Sequence, residues 1–316
     1  DLESARAGTS LWIGENAVLD AAGRAHTALD QNGRRYGLVQ DGGSIRIGIE
    51  DYTRVSKDLL DATRAHVVIR DGARLDASGA VADVDLYAGY DLLQPSRVVR
   101  LAGDGGLIRL GSTRGIFNDG DLRAAAGAEG AAGGTLNLVL ENVKDSDIGV
   151  RMLTIAQDRA DSGLSGDLQA GVDDASLTRG EARISAEEIE AGGFGTLDLW
   201  SRDVFSFDGD VDLALDQSLI LRRGALSVAE ATPEARVSLA APYVLLEGKV
   251  DDNGGVGEGL APGPVSRESK YTELLPSARN AARLSIDADL VDVRDDVFFG
   301  ASGFLQIEGP VPNQGI

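Results

Sequence analysis

The stretch His66 to Gly79, HVVIRDGARLDASG, reads as a short strand, a turn, a second short strand and a second turn. An earlier stretch, Ser10 to Gly23 (SLWIGENAVLDAAG), is written the same way. With Ile13 set against Ile69 the endings coincide: Leu19-Asp20-Ala21-Ala22-Gly23 faces Leu75-Asp76-Ala77-Ser78-Gly79. A unit that recurs in this manner implies stacked, similar pieces rather than one globular core.

The repetition extends along the chain. In GGSIRIGI (42–49), Ile45, Ile47 and Ile49 alternate with Arg46 and Gly48, the period of a half-buried strand. GGLIRLG (105–111) and GGTLNLVLEN (133–142) answer it. A Gly-Gly entry before each strand predicts a tight corner, because glycine reaches positive φ and lets neighbouring backbones approach. ARIS (182–185), ARVS (235–238) and ARLS (282–285) are expected to begin equivalent strands, each followed by a further apolar run at Ile189, Val244-Leu246 and Val291-Val293. GTLDLWS (195–201), VFSFDGDVDLALD (204–216), SLILRRGALSV (218–228) and GFLQIEG (303–309) complete the series. Residues 26–41, with the turn pair Asn32-Gly33, read as a loop or hairpin projecting from the body, and 80–104 as a looser insertion. Residues 143–181 read as shorter strands with polar turns. Residues 249–281 lack periodicity, carry Pro262, Pro264 and Pro276, and read as a loop insertion. Helical spacing is confined to Asp58–Arg64 and Lys270–Arg283.

Composition narrows the function. The chain has 316 residues with 30 basic against 51 acidic, a net charge of −21. Such a surface repels phosphate backbones and anionic membranes, which excludes nucleic acid as a partner class. It suits calcium, for which clustered carboxylates are hard oxygen ligands. Cysteine is absent, so disulfides, thiolate catalysis and cysteine zinc sites are excluded together. No apolar run approaches the ~20 residues of a membrane span. The start at Asp1, with neither initiator Met nor signal peptide, reads as a fragment of a longer protein.

Short alternating strands with frequent turns suit a β-sandwich binding module as well as a solenoid. Shared wording at spacings of 56 residues (13 to 69), 63 (42 to 105), 53 (182 to 235) and 47 (235 to 282) favours the solenoid. Each spacing suits two or three rungs of roughly 20 to 25 residues plus an insertion, as in parallel β-helices. About a dozen rungs would form a rod on the order of 60 Å long. The fold class expected is therefore all-β, a single parallel β-helix over 1–316 broken by loops.

The runs AVLDAAG, ARLDASGA and LVQDGGSIRIG resemble large bacterial exoproteins of the filamentous haemagglutinin type, which are exported by two-partner secretion and to which contact-dependent inhibition proteins are related. The likeness covers residues 8–140 and returns over 182–309, and it rests on repeat style. It implies a right-handed β-helix and export through an outer-membrane transporter. It further implies an adhesive or toxin-delivery stalk, secreted or at the cell surface, that meets a receptor or glycan on a host or neighbouring cell. The family's amino-terminal secretion domain and any carboxy-terminal toxin are not recognisable, and the resemblance carries over no catalytic residues.

Among candidate chemistry, His26 and His66 are the only histidines, and neither lies near a nucleophile-elbow pattern. Both read as structural. The acid pairs Asp173-Asp174, Asp251-Asp252 and Asp295-Asp296 offer carboxylates for a polysaccharide-degrading β-helical enzyme, the alternative to a stalk. With 51 acids in the chain such pairs arise by chance, and the reading is that the protein is not an enzyme. Asp251, Asp252 and Asn253, with two following glycines, are the candidate calcium ligands, set against the alternative of a solvated acidic turn. No other cofactor is implied. Trp200, Arg267 and Tyr271 are the candidate binding residues. Trp12 and Trp200 fall opposite Ile13 and Leu199 and are expected to be partly exposed.

Overall fold

The structure, a computed structural model, describes residues 10–49, 65–86, 96–141, 150–248, 281–294, 297 and 299. Among these it is nearly all-β, with one helix, α1 (Ala186–Gly192), and its long sheets are parallel.

The alternating strands decide the arrangement. Ser44–Gly48, Leu107–Ser112, Gly134–Leu140, Phe194–Ser201, Ser218–Arg222, Tyr243–Glu247 and Leu290–Arg294 lie side by side as one seven-stranded sheet. Their apolar positions fall into two inward columns. One runs Ile45, Ile108, Leu136, Leu197, Leu219, Val244, Val291; the other runs Ile47, Leu110, Leu138, Leu199, Leu221, Leu246 and ends at Val293, which is exposed. Burying each such side chain contributes about 1.5–3 kcal/mol, so the columns are the principal source of cohesion.

A second seven-stranded sheet supplies the facing wall in the order Ser10–Ile13, His66–Ile69, Gly115–Asn118, Glu181–Ser185, Met152–Ala156, Val204–Asp208, Ala225–Val228. Val67, Ile69, Leu153, Ile184, Phe205 and Phe207 from it join the same core. Two three-stranded sheets lie between the walls in the chain. One is Val18–Asp20, Arg74–Asp76 and Asp121–Arg123; the other is Val211–Ala214, Arg236–Ala240 and Arg283–Asp287. Helix α1 packs against both Asp121–Arg123 and Val211–Ala214 and so stands between these small sheets. The parallel pairing rules out the β-sandwich alternative, which requires antiparallel ladders.

The two opening stretches pair as their wording indicates: Ile13 faces Ile69, Leu19 faces Leu75 and Asp20 faces Asp76. The repeated Asp is a turn former. Asp20 Oδ1 accepts the Ala22 N–H at 3.0 Å, and Asp76 Oδ1 accepts that of Ser78 at 2.9 Å. The Gly-Gly entries form tight corners, but by close approach alone, since none of these glycines has positive φ. Gly43, Gly106 and Gly134 donate to the carbonyls of Ala21, Ala77 and Ala124, the same corner made three times. A Cβ on Gly42 would sit 1.7 Å from the Ala77 oxygen.

Residues 26–41 do form a hairpin, Ala25–Leu29 against Arg35–Val39, whose first strand is exposed throughout. The insertion at 80–104 is a second antiparallel hairpin, Val81–Leu86 against Arg97–Ala102. The first hairpin packs on the second, and the Arg35 N–H donates to Asp85 Oδ2 at 2.7 Å.

Four expectations need correction. ARIS (182–185) is not the counterpart of ARVS: it joins the facing wall, whereas ARVS and ARLS pair in a small sheet, Arg236 opposite Arg283. Ile189 lies in a helix rather than a strand. Ser185 and Glu188 form a capping box there, and Gly193 ends the helix at φ 69°. Over 143–181 the described residues hold Met152–Ala156 and the first residue of Glu181–Ser185; between them 157–180 form one long non-strand connection. Finally, the long sheets have seven strands among the described residues, not a dozen, because the hairpins and long connections consume chain. Of the expected helices, Asp58–Arg64 lies outside the described residues, and Arg283 begins a strand. GFLQIEG and nearly all of the insertion at 249–281 also lie outside them.

The glycine corner yields a paired prediction. Gly42→Ala forces two backbones apart and is expected to lower unfolding free energy by at least ~2 kcal/mol. Gly166→Ala, where an added Cβ meets nothing within 4 Å, is expected to leave it unchanged within about 0.5 kcal/mol. Urea denaturation of the two variants checks both.

Candidate functional site

The connection 157–180 exists because the chain doubles back. Met152–Ala156 enters the facing wall one place too far along, and Glu181–Ser185 returns to fill the place beside Gly115–Asn118. The connection lies over the outer face of that wall, where Leu164, Leu168 and Leu177 cover Trp12, Val68 and Phe117. His66–Ile69 is consequently buried on both faces. Trp12 is half-buried, with the Arg70 guanidinium 5.6 Å from its ring centre.

His66 sits under this cover, 5.8 Å from the Phe117 ring, and neither ring nitrogen reaches a hydrogen-bond partner of good geometry. Burial, with the Arg114 charge adding to it, lowers its pKa to about 4. A buried, neutral imidazole is a structural residue, not a poised base. His26 lies in the exposed hairpin strand, far along the chain from any cluster of acids.

Trp200 belongs to a corner where the two walls meet. Its Nε1–H donates to Glu141 Oε2 at 2.9 Å, and the Arg223 guanidinium lies 4.6 Å from its ring centre. Arg202 pairs with Glu141 Oε1 at 2.9 Å. The fully buried Arg151 donates from Nε to the carbonyls of Thr113 and Glu141, and its N–H donates to Asp203 Oδ2. Trp200 is thus half-buried, as expected, with one face occupied. This ion cluster was not anticipated, because it is assembled from residues up to 90 positions apart (113 to 203).

Of the other candidate residues, Arg267, Tyr271, Asp251, Asp252 and Asn253 lie outside the described residues, as do Asp295 and Asp296. Asp174 accepts from the Ser176 N–H at 2.8 Å and its hydroxyl at 2.7 Å, and these bonds lower its pKa. It serves as a turn residue. Asp20 and Asp76 are neighbours in register but are held by Arg24 and Arg74 respectively. Among the described residues no group of three His, Asp or Glu is arranged to hold a metal ion.

A crevice of about 330 Å³ opens where Asp121–Arg123 gives way to α1. Leu122, Leu136, Ile184 and Phe194 form its buried apolar floor, and Asp121, Arg123, Arg159 and Glu188 its rim. Arg159 is committed to structure: it pairs with Asp121 at 3.0 Å, donates to the Asp119 and Gly120 carbonyls and approaches Glu188 at 3.9 Å. Glu188 is occupied by its capping role and by Asn118.

No protein-family model, curated protein or solved structure matches the chain.

The position of His66 predicts a pH dependence. An imidazole has an ordinary pKa of 6.5 when unfolded and about 4 here, so the folded chain binds fewer protons between those values. Its contribution to stability is complete above pH 6.5 and is lost as pH falls toward 4, by up to ~3 kcal/mol. Urea denaturation at pH 7.5 and pH 4.5 measures the loss, and His66→Leu is expected to remove that component of it.

Proposed function

We propose that the chain coils as a right-handed parallel β-helix and serves as a structural and adhesive segment of a secreted or surface-bound bacterial exoprotein. In this reading it is a stalk that presents loops to a receptor or glycan on another cell. The observation that carries the reading is the pair of inward apolar columns, held in register over seven strands. A chain that passes repeatedly from one wall through a small sheet to the other, always in parallel, is supported as a coil. Right-handed crossovers are the norm for parallel strands, at roughly 98% of cases.

Two further features favour a stalk over a polysaccharide-degrading enzyme. The in-register carboxylates Asp20 and Asp76 are used up in turns and ion pairs. The stacked hairpins carry Leu29, Tyr36, Leu38, Leu86 and Val98 exposed, apolar side chains of the sort that contact partners rather than water. Absence of cysteine suits a protein that crosses an outer-membrane transporter unfolded.

Two measurements test this. An immunoblot of source cells and medium is expected to show a band far above 32.9 kDa at the surface or in the medium; a cytoplasmic band near that mass would contradict the proposal. The double variant Tyr36→Ala, Leu38→Glu is expected to weaken binding of the purified chain to cells about tenfold while leaving its circular dichroism unchanged. Undiminished binding would remove the hairpins from the contact surface.

A further inference from the structure

The crevice beside α1 is not required by the coil. Along the columns described above the space between the walls is filled by apolar side chains, but here the third side changes from a strand to a helix. Asp121–Arg123 is the last strand of its small sheet, and α1 follows it. The two elements differ in width and leave about 330 Å³ above a floor of Leu122, Leu136, Ile184 and Phe194. That volume lies at the lower end of small-molecule sites, and such sites combine an apolar lining with a few convergent polar groups.

The rim defines the ligand further. Its four charged groups, Asp121, Glu188, Arg123 and Arg159, sum to zero. Glu188 and Arg159 are already engaged, as described above. Two groups retain capacity. Asp121 uses Oδ1 for Arg159, keeps its second oxygen free, and its side chain is 66% exposed. The Arg123 guanidinium, with five N–H donors, makes no hydrogen bond or ion pair among the described residues; its backbone carbonyl is engaged by the Ala77 N–H. A donor and an acceptor side by side match a hydroxyl, which both accepts and donates. A carboxylate paired with Arg123 would lie beside Asp121, and an ammonium paired with Asp121 would lie beside Arg123, so a single charge is repelled by the neighbour of the group that attracts it, whereas a hydroxyl satisfies both.

We infer that this crevice binds a small uncharged molecule with an apolar body and a hydroxyl head, a phenol or an alcohol, body inward and hydroxyl between Arg123 and Asp121. The site is independent of the adhesive reading, since it lies apart from both hairpins in the chain and needs no cell partner.

The test uses the whole chain and saturation-transfer NMR with p-cresol, toluene, 4-methylbenzoate and 4-methylbenzylamine. Saturable p-cresol binding, tighter than that of either charged analogue, is expected. Ala191→Trp places a bulky ring at the exposed lip of α1 and is expected to abolish binding, with circular dichroism unchanged. Arg123→Ala is expected to weaken p-cresol about fivefold, the scale of one net hydrogen bond at a solvent-exposed rim, and to leave toluene unaffected. No saturable p-cresol binding, equal or tighter binding of a charged analogue, or p-cresol binding unchanged in either variant would overturn the inference.

Discussion

Parallel pairing of one residue opposite one residue is the constraint on which the rest of this structure depends. Side chains alternate faces along a strand, so a slip of one position turns a whole apolar column toward water. Ile108, Leu136, Leu197 and Leu219 are held inward only while their neighbours keep register. At the irregularity between Gly134 and Thr135, Gly195 of the partner strand is absorbed before the Leu136–Leu197 pair. Glycine stands at that corner because the strand of one wall touches the backbone of the adjoining small sheet. The corner and the columns are one requirement, since a corner opened by a methyl group would displace the strand that follows it.

The chain departs from the repeated order of its strands where outward residues are apolar. Trp12, Val68 and Phe117 would leave an apolar patch on the outer wall, and the returning connection 157–180 covers it. Covering the wall isolates His66 from water. The corner also buries Arg151, Glu141 and Asp203 together: Arg151 Nε donates to the Glu141 carbonyl, its backbone N–H donates to the Asp203 carboxylate, and Glu141 pairs with Arg202. The hairpins differ in kind. They stand outside the columns, share only their own contact, and leave apolar side chains in solvent.

What was legible in the sequence was whatever repeats. Ile13 against Ile69 and GGSIRIG against GGLIRLG are written in the chain and pair in the structure. The wording ARIS misled because it marks the start of a strand without saying which sheet receives it; period two describes a face, not a neighbour. Helix α1 had a signal that went unused: Ser185 and Glu188 spell a capping box, followed by Ala191-Gly192-Gly193. The doubling back was not legible at all, because the order of Met152–Ala156 and Glu181–Ser185 is set by tertiary packing. The same holds for the crevice rim, where Asp121 meets Arg159 from 38 positions away. Trp200 was recognised as a notable aromatic, but its tie to Glu141 spans 59 positions and left no local trace.

The register itself can be tested by cross-linking, since the chain contains no cysteine to interfere. Thr196 and Ser218 are half-exposed partners on adjacent strands, whereas Leu219 points into the core. Neighbouring parallel strands lie about 4.8 Å apart, within the Cα range of a disulfide. Thr196→Cys with Ser218→Cys is expected to close an intrachain disulfide under mild oxidation, seen by mass spectrometry of the linked peptide, and Thr196→Cys with Leu219→Cys is not. A bond in the second pair, or in neither, would contradict the parallel in-register stacking on which the account rests.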